Sequence, residues 1–204
     1  DLGTALLVFA AGLYVIILAG LPWKWILPFV ALGVIGILLI IIFGSTICAH
    51  DVVWPLVHNY QKHRVCTLLD PTSDPLGKGF HTIQSMIAIG SGGFFGKGWF
   101  QGTQAHLEFI PEKHTDFVFA VFSEEFGLLG NLVLLALFFA LIKRGLAISA
   151  SAPNLFTRLL GAAVTLIFFT YAFVNIGMVS GLLPVVGVPL PFISYGGTAL
   201  VTLG

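Results

Sequence analysis

The sequence predicts an all-α integral membrane protein: a polytopic helix bundle of about five spans, with one large polar loop and a re-entrant segment rich in proline and glycine. Only 9% of the 204 residues are charged and 57% are hydrophobic, whereas soluble chains carry roughly 25% charged residues. Apolar runs of about 18 residues, the length needed to cross a bilayer, recur along the chain. All six histidines and every acidic residue except Asp1 fall between positions 50 and 125. The net charge of zero argues against a nucleic-acid partner.

Five apolar segments are predicted to span the membrane, and the chain 1–204 is expected to form a single membrane domain. The spans cover residues 2–21, 25–43, 117–142, 159–179 and 192–204. No basic segment precedes the first span in this sequence, so we do not expect it to be a signal peptide. Because the chain starts without methionine and ends inside an apolar run, we expect it to be an excerpt of a longer membrane protein.

Basic residues predict the orientation. Lys24 follows the first span, and Lys143, Arg144 and Arg158 are expected in the short loop after the third. The positive-inside rule places both connections in the cytoplasm. The large loop, residues 44–115, also carries basic residues, but it is about 70 residues long and the rule weakens beyond roughly 60. We therefore expect this loop to be extracytoplasmic. Its Cys48 and Cys66 either pair in an oxidising compartment or remain free thiols.

The large loop contains two stiff turns, Asp70-Pro71 and Asp74-Pro75. Proline disfavours the helical conformation of the preceding residue, so each aspartate is held extended. A short amphipathic helix follows, whose apolar face, with Phe80, Ile83 and Met86, is expected to rest on the bilayer or on the bundle. The stretch 90–98 holds five glycines in nine residues but fits neither nucleotide-binding motif. It is either a connector with tight turns or a backbone nest for a phosphate assisted by Lys97.

The third span is expected to begin near Thr115 as N-cap, with Asp116 in its first turn. Glu124 and Glu125 then lie roughly 12–14 Å along the helix, at membrane depth. By helical phase Glu125 lies within about 20° of His114, which would put both on one face. Two interpretations are open for the glutamates: a functional site, or a carboxylate buried against an arginine elsewhere in the bundle for assembly.

The segment 177–197 is apolar but too rich in proline and glycine for a regular helix. Irregular backbone at membrane depth survives only when it is buried in protein or lines a cavity. We therefore expect a re-entrant or interfacial segment, with Ser194 and Tyr195 facing the cavity of the large loop.

Several of these strings resemble the SEDS family of bacterial cell-wall polymerases, and its rod-shape (RodA) branch more than its division (FtsW) branch. The resemblance covers the whole chain in order. The strings that carry it are Asp-Leu-Gly-Thr (1–4), Arg64-Val65, Asp70-Pro-Thr-Ser-Asp74-Pro-Leu-Gly77, Gln84-Ser85, Gly96-Lys-Gly98, Glu108-Phe-Ile-Pro-Glu-Lys-His-Thr-Asp-Phe117, Glu124-Glu-Phe-Gly127, Asn175-Ile-Gly177 and Pro191-Phe-Ile-Ser-Tyr-Gly-Gly197.

The resemblance implies that this chain is the C-terminal half of a ten-helix protein of the bacterial inner membrane. Such a protein polymerises lipid II into peptidoglycan glycan strands during cell elongation and releases undecaprenyl pyrophosphate. The implied partners are lipid II, the growing glycan strand, membrane lipid, a class B penicillin-binding transpeptidase and other elongation-machinery proteins.

The resemblance also assigns the catalytic role to Asp70. From the residues alone, a general base and a turn-capping aspartate are equally open. An inverting single displacement at an anomeric carbon needs one general base, and its pyrophosphate leaving group needs cationic stabilisation rather than a strong acid. Arg64, Lys97, Lys113, a divalent cation (Mg²⁺ or Mn²⁺) or the rest of the protein could supply that charge. The candidate substrate-binding residues are Arg64, Lys97, Glu108, Lys113, His114, Asp116, Glu125, Ser194 and Tyr195.

Two alternatives from other classes are open. A lipid II flippase or another transporter would suit intramembrane Glu124 and Glu125 and a broken re-entrant segment. Against it, the polar groups gather on one side of the membrane and no internal repeat is visible. A scaffold that only docks the transpeptidase is the other alternative.

Overall fold

The computed structural model describes residues 2–44, 48, 66–69, 78–103 and 115–195, and the part it describes is helical without strands. The five main helices are α1 (Leu2–Leu18), α2 (Trp23–Ile42), α3 (Lys78–Gly92), α4 (Val118–Ala150) and α5 (Leu155–Val179). Of these, α4 and α5 are long and apolar enough to cross a bilayer, and α1 and α2 contribute shorter apolar stretches. The predicted all-α fold class is confirmed, while the predicted span limits stay predictions and residues 196–204 lie outside the described part.

The first helix packs antiparallel against α5. Tyr14 and Thr170 share a 2.6 Å hydrogen bond between their hydroxyl groups. Nearer its start, Leu7 is buried against Val186 and Val188 of the segment that follows α5. A turn at 19–22, with Gly20 at φ +100° and Pro22 preceding the next helix, leads into α2. Among the described side chains of α2, only that of Ile26 is buried.

The fourth helix is longer than the predicted span 117–142, because it continues to Ala150. Lys143 and Arg144 therefore lie on α4 rather than in a loop, and Arg158 lies in the first turn of α5. The sequence from Lys143 to Ala150 has no proline, and the first proline after it is Pro153. Proline disfavours a helical conformation at the residue before it, so the connection is confined to residues 151–154.

Small residues bring α4 and α5 close together. A Cβ atom on Gly145 would lie 2.6 Å from Oγ1 of Thr165, and one on Gly161 would lie 2.6 Å from Oγ of Ser149. Such small-residue contacts are typical of helix pairs in membranes. Further along, Phe138 and Phe168 meet edge to face in the main core.

The amphipathic helix α3 packs through its small face, not its apolar one. Its buried positions include Thr82, Ser85 and Ala88, and Ser85 donates a 2.9 Å hydrogen bond to the Val179 carbonyl at the end of α5. Met86, on the apolar face, is exposed. Of the two positions expected for the apolar face, the exposure of Met86 and Ile87 disfavours the bundle core and leaves the bilayer as the prediction, because close approach of α3 to the bundle requires small side chains.

Residues 180–195 form no regular helix, as predicted, and are packed in protein. Val188, Leu190 and Pro191 are buried against the bundle. Gly181 and Gly187 have positive φ values of 73° and 79°, which glycine adopts without steric cost.

Candidate functional site

The fourth helix is broken at Gly127, and a loop from another part of the chain enters the break. Gly127 has φ 65° and ψ −163°, a conformation open essentially only to glycine. The entering segment follows α3 and is called here the glycine loop (residues 93–98). It lies against α4 between Glu124 and Leu129.

The glycine loop replaces two helical hydrogen bonds. In an unbroken helix the amides of Leu128 and Leu129 would donate to the carbonyls of Glu124 and Glu125. Instead they donate to the carbonyls of Gly93 and Phe94, at 2.9 and 3.1 Å. The two vacated helix carbonyls accept bonds from the amides of loop residues 97 and 98, both at 3.0 Å. No backbone group in this exchange is left unpaired, which a bilayer would penalise by several kcal/mol per group.

This insertion depends on glycine. A Cβ on Gly127 would overlap the amide nitrogen of Gly96 and lie 2.8 Å from the Phe94 carbonyl oxygen. A Cβ on Gly96 would overlap the carbonyl oxygen of Glu125, and one on Gly92 that of Ser123. The two backbones thus approach too closely for any side chain at these three positions.

Beside the break, Glu124 is fully buried, and its carboxylate accepts hydrogen bonds from the glycine loop and from Thr103, which follows it. Its Oε1 accepts from Lys97 Nζ at 2.6 Å, and from the amide and hydroxyl of Thr103, both at 2.9 Å. The Thr103 hydroxyl also accepts a 2.9 Å bond from Lys97. Gly102 covers the carboxylate, since a Cβ there would lie 3.0 Å from Oε2. The buried charge is therefore paired and hydrogen-bonded, as burial requires.

A second polar cluster ties the start of α4 to the segment 180–195. Asn175 Nδ2 donates to the Asp116 carbonyl at 2.8 Å and to the Val188 carbonyl at 2.6 Å. Ser194 Oγ donates to the Thr115 carbonyl at 2.6 Å and accepts from the Leu190 amide at 2.7 Å. Within the described residues, Asn175 Oδ1 has no hydrogen-bond partner.

The N-cap predicted at Thr115 is wrong. Residues 115–117 form a turn, and Phe117 precedes the first helical residue without a side-chain cap. The reason lies in the second cluster: the carbonyls of Thr115 and Asp116 point to Ser194 and Asn175 instead of into the helix. Because α4 begins only at Val118, the helical-phase argument that joined Glu125 to His114 does not hold.

A disulfide joins Cys48 to Cys66, which answers the question that the sequence left open. Residues 66–69 are helical, and a Cβ on Gly44 would lie 2.7 Å from Cδ1 of Leu69. Two links therefore hold the chain just before position 70 against the end of α2.

The predicted site residues divide into two groups. The proposed base Asp70, together with Arg64, Glu108, Lys113 and His114, lies outside the described residues.

The other predicted site residues are described. Lys97 is bound to Glu124 and Ser194 to backbone, whereas Tyr195 is 87% exposed. The carboxylate of Glu125 forms no hydrogen bond or ion pair with another described residue. Asp116 lies against the segment 180–195, where a Cβ on Gly187 would be 3.2 Å from its Oδ2.

Glu124 fits neither interpretation fully: it is buried in an ion pair, but its partner is a loop lysine rather than an arginine. The glycine stretch is likewise neither a simple connector nor a phosphate nest, since its amides at 97 and 98 bond to α4. Among the described residues, no three His, Cys, Asp or Glu side chains are grouped so as to hold a metal ion.

Sequence reasoning missed the roles of Asn175, Thr103 and Gly127. Asn175 carried a usable signal, because a lone amide in an apolar membrane helix is expensive unless it is bonded. Gly127 and Thr103 carried none, because their roles depend on a contact between segments more than twenty residues apart.

Comparison with known proteins agrees with this architecture. The model of the FtsW/RodA/SpoVE cell cycle protein family matches residues 1–204. The chain is 56% identical over 204 residues to the peptidoglycan glycosyltransferase MrdB of Escherichia coli K12, covering all of this chain and 52% of that protein. It is 39% identical over 172 residues to the peptidoglycan glycosyltransferase RodA of Treponema pallidum, covering 84% of this chain and 38% of that protein.

One chain of a solved structure is similar to this chain. That structure concerns the structural coordination of polymerization and crosslinking by a peptidoglycan synthase complex. Its TM-score is 0.70 at 37% identity, and the match covers 99% of this chain and 52% of that one. The chain spans about half the length of the E. coli relative. The full-length family match and these identities show that the chain belongs to the FtsW/RodA/SpoVE family of membrane proteins.

Proposed function

We propose that the protein to which this chain belongs is a peptidoglycan glycosyltransferase that polymerises lipid II into glycan strands at the outer face of the bacterial inner membrane. The observation that carries the proposal is the 56% identity, over all 204 residues, to an E. coli protein of that activity. The large loop is then extracytoplasmic, where lipid-linked substrate and glycan strand meet.

The proposed reaction is a single inverting displacement. Asp70 accepts the proton of the acceptor sugar hydroxyl as its oxygen bonds to the donor's anomeric carbon. The bond from that carbon to the pyrophosphate oxygen breaks, and undecaprenyl pyrophosphate leaves with the electron pair. The disulfide between Cys48 and Cys66, and the contact of Leu69 with Gly44, support this role because they restrain the residues just before the base.

The cation that stabilises the leaving group is better sought in Arg64 and Lys113 than in Lys97. The Lys97 ammonium lies 2.6 Å from a carboxylate, which neutralises its charge. A guanidinium offers a planar fork that matches phosphate oxygens, whereas an ammonium is a point charge. Arg64 is therefore the first candidate, with a divalent cation such as Mg²⁺ or Mn²⁺ as the alternative.

The proposed partner is a class B penicillin-binding transpeptidase, alongside other elongation proteins. A structural relative belongs to a complex that couples polymerization to crosslinking. A polymerase needs such a partner because uncrosslinked strands do not make a wall.

The test is polymerisation of labelled lipid II in detergent by the full-length protein with its transpeptidase and no transmembrane gradient. We expect Asp70→Asn to lower turnover by about 10²–10⁴-fold, the usual contribution of a general base. Asp74→Asn, the matched control, should cost much less. Wild-type turnover in Asp70→Asn at equal expression would remove the assignment, and no polymerisation by the unmodified protein would favour the flippase or scaffold alternative.

A further inference from the structure

The end of the bundle away from the glycine loop, called here the basic pole, contains a half-open cavity of about 250 Å³. It lies where α1 ends, α4 ends and α5 begins. Its lining includes Leu18, Leu146, Ser149, Leu155, Arg158 and Leu159.

The cavity arises from helix packing. Just inside it, α4 and α5 are in close contact, because Gly145 of α4 faces Thr165 of α5 and Gly161 of α5 faces Ser149 of α4. Beyond that contact the lining positions 150 and 162 are alanines, whose small side chains leave space between the helices unfilled. The structure therefore has an opening at the helix ends, with mostly apolar walls and one charged group.

That group is Arg158, and among the described residues no acidic side chain lies at the basic pole around it. The same pole contains Lys143 and Arg144, near the end of α4, and Lys24, near the start of α2. Lys24 is placed there because Leu18, at the end of α1, lines the cavity together with residues of α4 and α5. The acidic residues that the structure describes are Asp116, Glu124 and Glu125, which lie at the start of α4, at the opposite end of that helix from Lys143 and Arg144. Within the described residues, the Arg158 side chain forms no ion pair or hydrogen bond.

We propose that this cavity binds the headgroup of an anionic phospholipid, with the Arg158 guanidinium as the phosphate ligand. The guanidinium fork suits two phosphate oxygens. The leucines of the wall contact the glycerol and the first acyl methylenes, which a soluble anion does not have. Basic pockets between membrane helices are a known form of anionic-lipid site. The proposal does not depend on the proposed function.

The test uses the full-length protein in detergent and counts retained lipid by native mass spectrometry. The probes are dioleoylphosphatidylglycerol, dioleoylphosphatidylcholine and inorganic phosphate. The variants are Arg158→Gln and, as matched control, Arg144→Gln. Arg144→Gln removes the same charge from the same pole. At 100° per residue, however, Arg144 lies about 120–160° around α4 from Leu146, Ser149 and Ala150, the residues of this helix that line the cavity.

We expect the unmodified protein to retain phosphatidylglycerol over phosphatidylcholine by about fivefold or more, the effect of one basic residue near a membrane surface. Arg158→Gln should reduce this preference to within about twofold, and Arg144→Gln should keep it. The thermal midpoint in phosphatidylcholine alone checks that Arg158→Gln is folded, which the exposure of this side chain favours.

Two results would overturn the proposal. Equal losses in Arg158→Gln and Arg144→Gln would mean a diffuse attraction of the basic pole rather than a site. Competition by inorganic phosphate at the same concentration as the lipid would mean an anion site that does not recognise lipid.

Discussion

Two of the irregular regions that the structure describes, the break at Gly127 and the segment 180–195, are stabilised by different means. At Gly127 another stretch of backbone enters α4 and replaces the missing hydrogen bonds one for one. In the segment 180–195, individual side chains pair with the backbone instead: Asn175 donates to the Val188 carbonyl and Ser194 accepts from the Leu190 amide. The first arrangement tolerates no side chain at its contact, whereas the second depends on particular polar side chains. Substitutions should therefore act through steric overlap at the first and through lost hydrogen bonds at the second.

The largest expected effect is that of Gly127→Ala. The new Cβ overlaps the amide of Gly96, and φ 65° with ψ −163° is strained for any side chain. Backbone strain of about 1–3 kcal/mol and overpacking of about 1–3 kcal/mol together predict a loss of roughly 2–6 kcal/mol. Denaturant titration in detergent measures it.

Two glycines of the same region are controls for Gly127→Ala. Gly93 also has positive φ but nothing within 4 Å of its would-be Cβ, so Gly93→Ala should cost only about 1–2 kcal/mol. Gly90 lies in α3 with open space, so Gly90→Ala should be neutral or stabilising by about 0.5–1 kcal/mol. Three equal losses would contradict the close contact at Gly127.

The ion pair beside the break gives the next effect, and it should be asymmetric. Lys97→Met leaves a fully buried carboxylate without its cation and should cost about 3 kcal/mol, the lower end for a broken buried pair because Thr103 still donates to Glu124. Glu124→Gln should cost less, about 1 kcal/mol, since the Lys97 side chain is 29% exposed and can regain water. Stability of both variants in detergent measures the difference.

The double variant Lys97→Met with Glu124→Gln sharpens this test, because it removes both charges. We expect its stability to recover toward that of Glu124→Gln alone, which a double-mutant cycle quantifies. Its polymerisation activity per folded molecule should stay near that of the unmodified protein. Loss of activity in this folded variant would indicate that Lys97 binds substrate, as the sequence predicts.

The two irregular regions also differ in how far the sequence predicted them. The segment 180–195 was predicted because its prolines and glycines are local and visible in one stretch. The break at Gly127 was not, since a single glycine inside an apolar run is compatible with a continuous helix. What breaks the helix is the glycine loop, about thirty residues earlier, and no periodicity reports a contact between distant segments. For the same reason the ion pair of Glu124 could be anticipated as a buried carboxylate in need of a partner, but the partner could not be named.

Ser194→Ala tests the second arrangement and should lower stability less than Gly127→Ala or Lys97→Met does. The change removes a donor to the Thr115 carbonyl and an acceptor for the Leu190 amide, both in a buried position. Lost bonds of this kind cost about 1–2 kcal/mol. Tyr195→Phe, one residue on, is the matched control: its side chain is 87% exposed, so the stability of the protein should change by no more than about 0.5 kcal/mol.

Activity should distinguish the two residues in the opposite way, because the loss of stability is expected at Ser194 and any loss of activity at Tyr195. If Ser194 only fastens the segment to the start of α4, folded Ser194→Ala polymerises normally, and any substrate contact at this end belongs to the exposed Tyr195. A folded Ser194→Ala protein that has lost activity would instead show that the serine hydroxyl reaches substrate, and that this segment lines the site rather than supporting it.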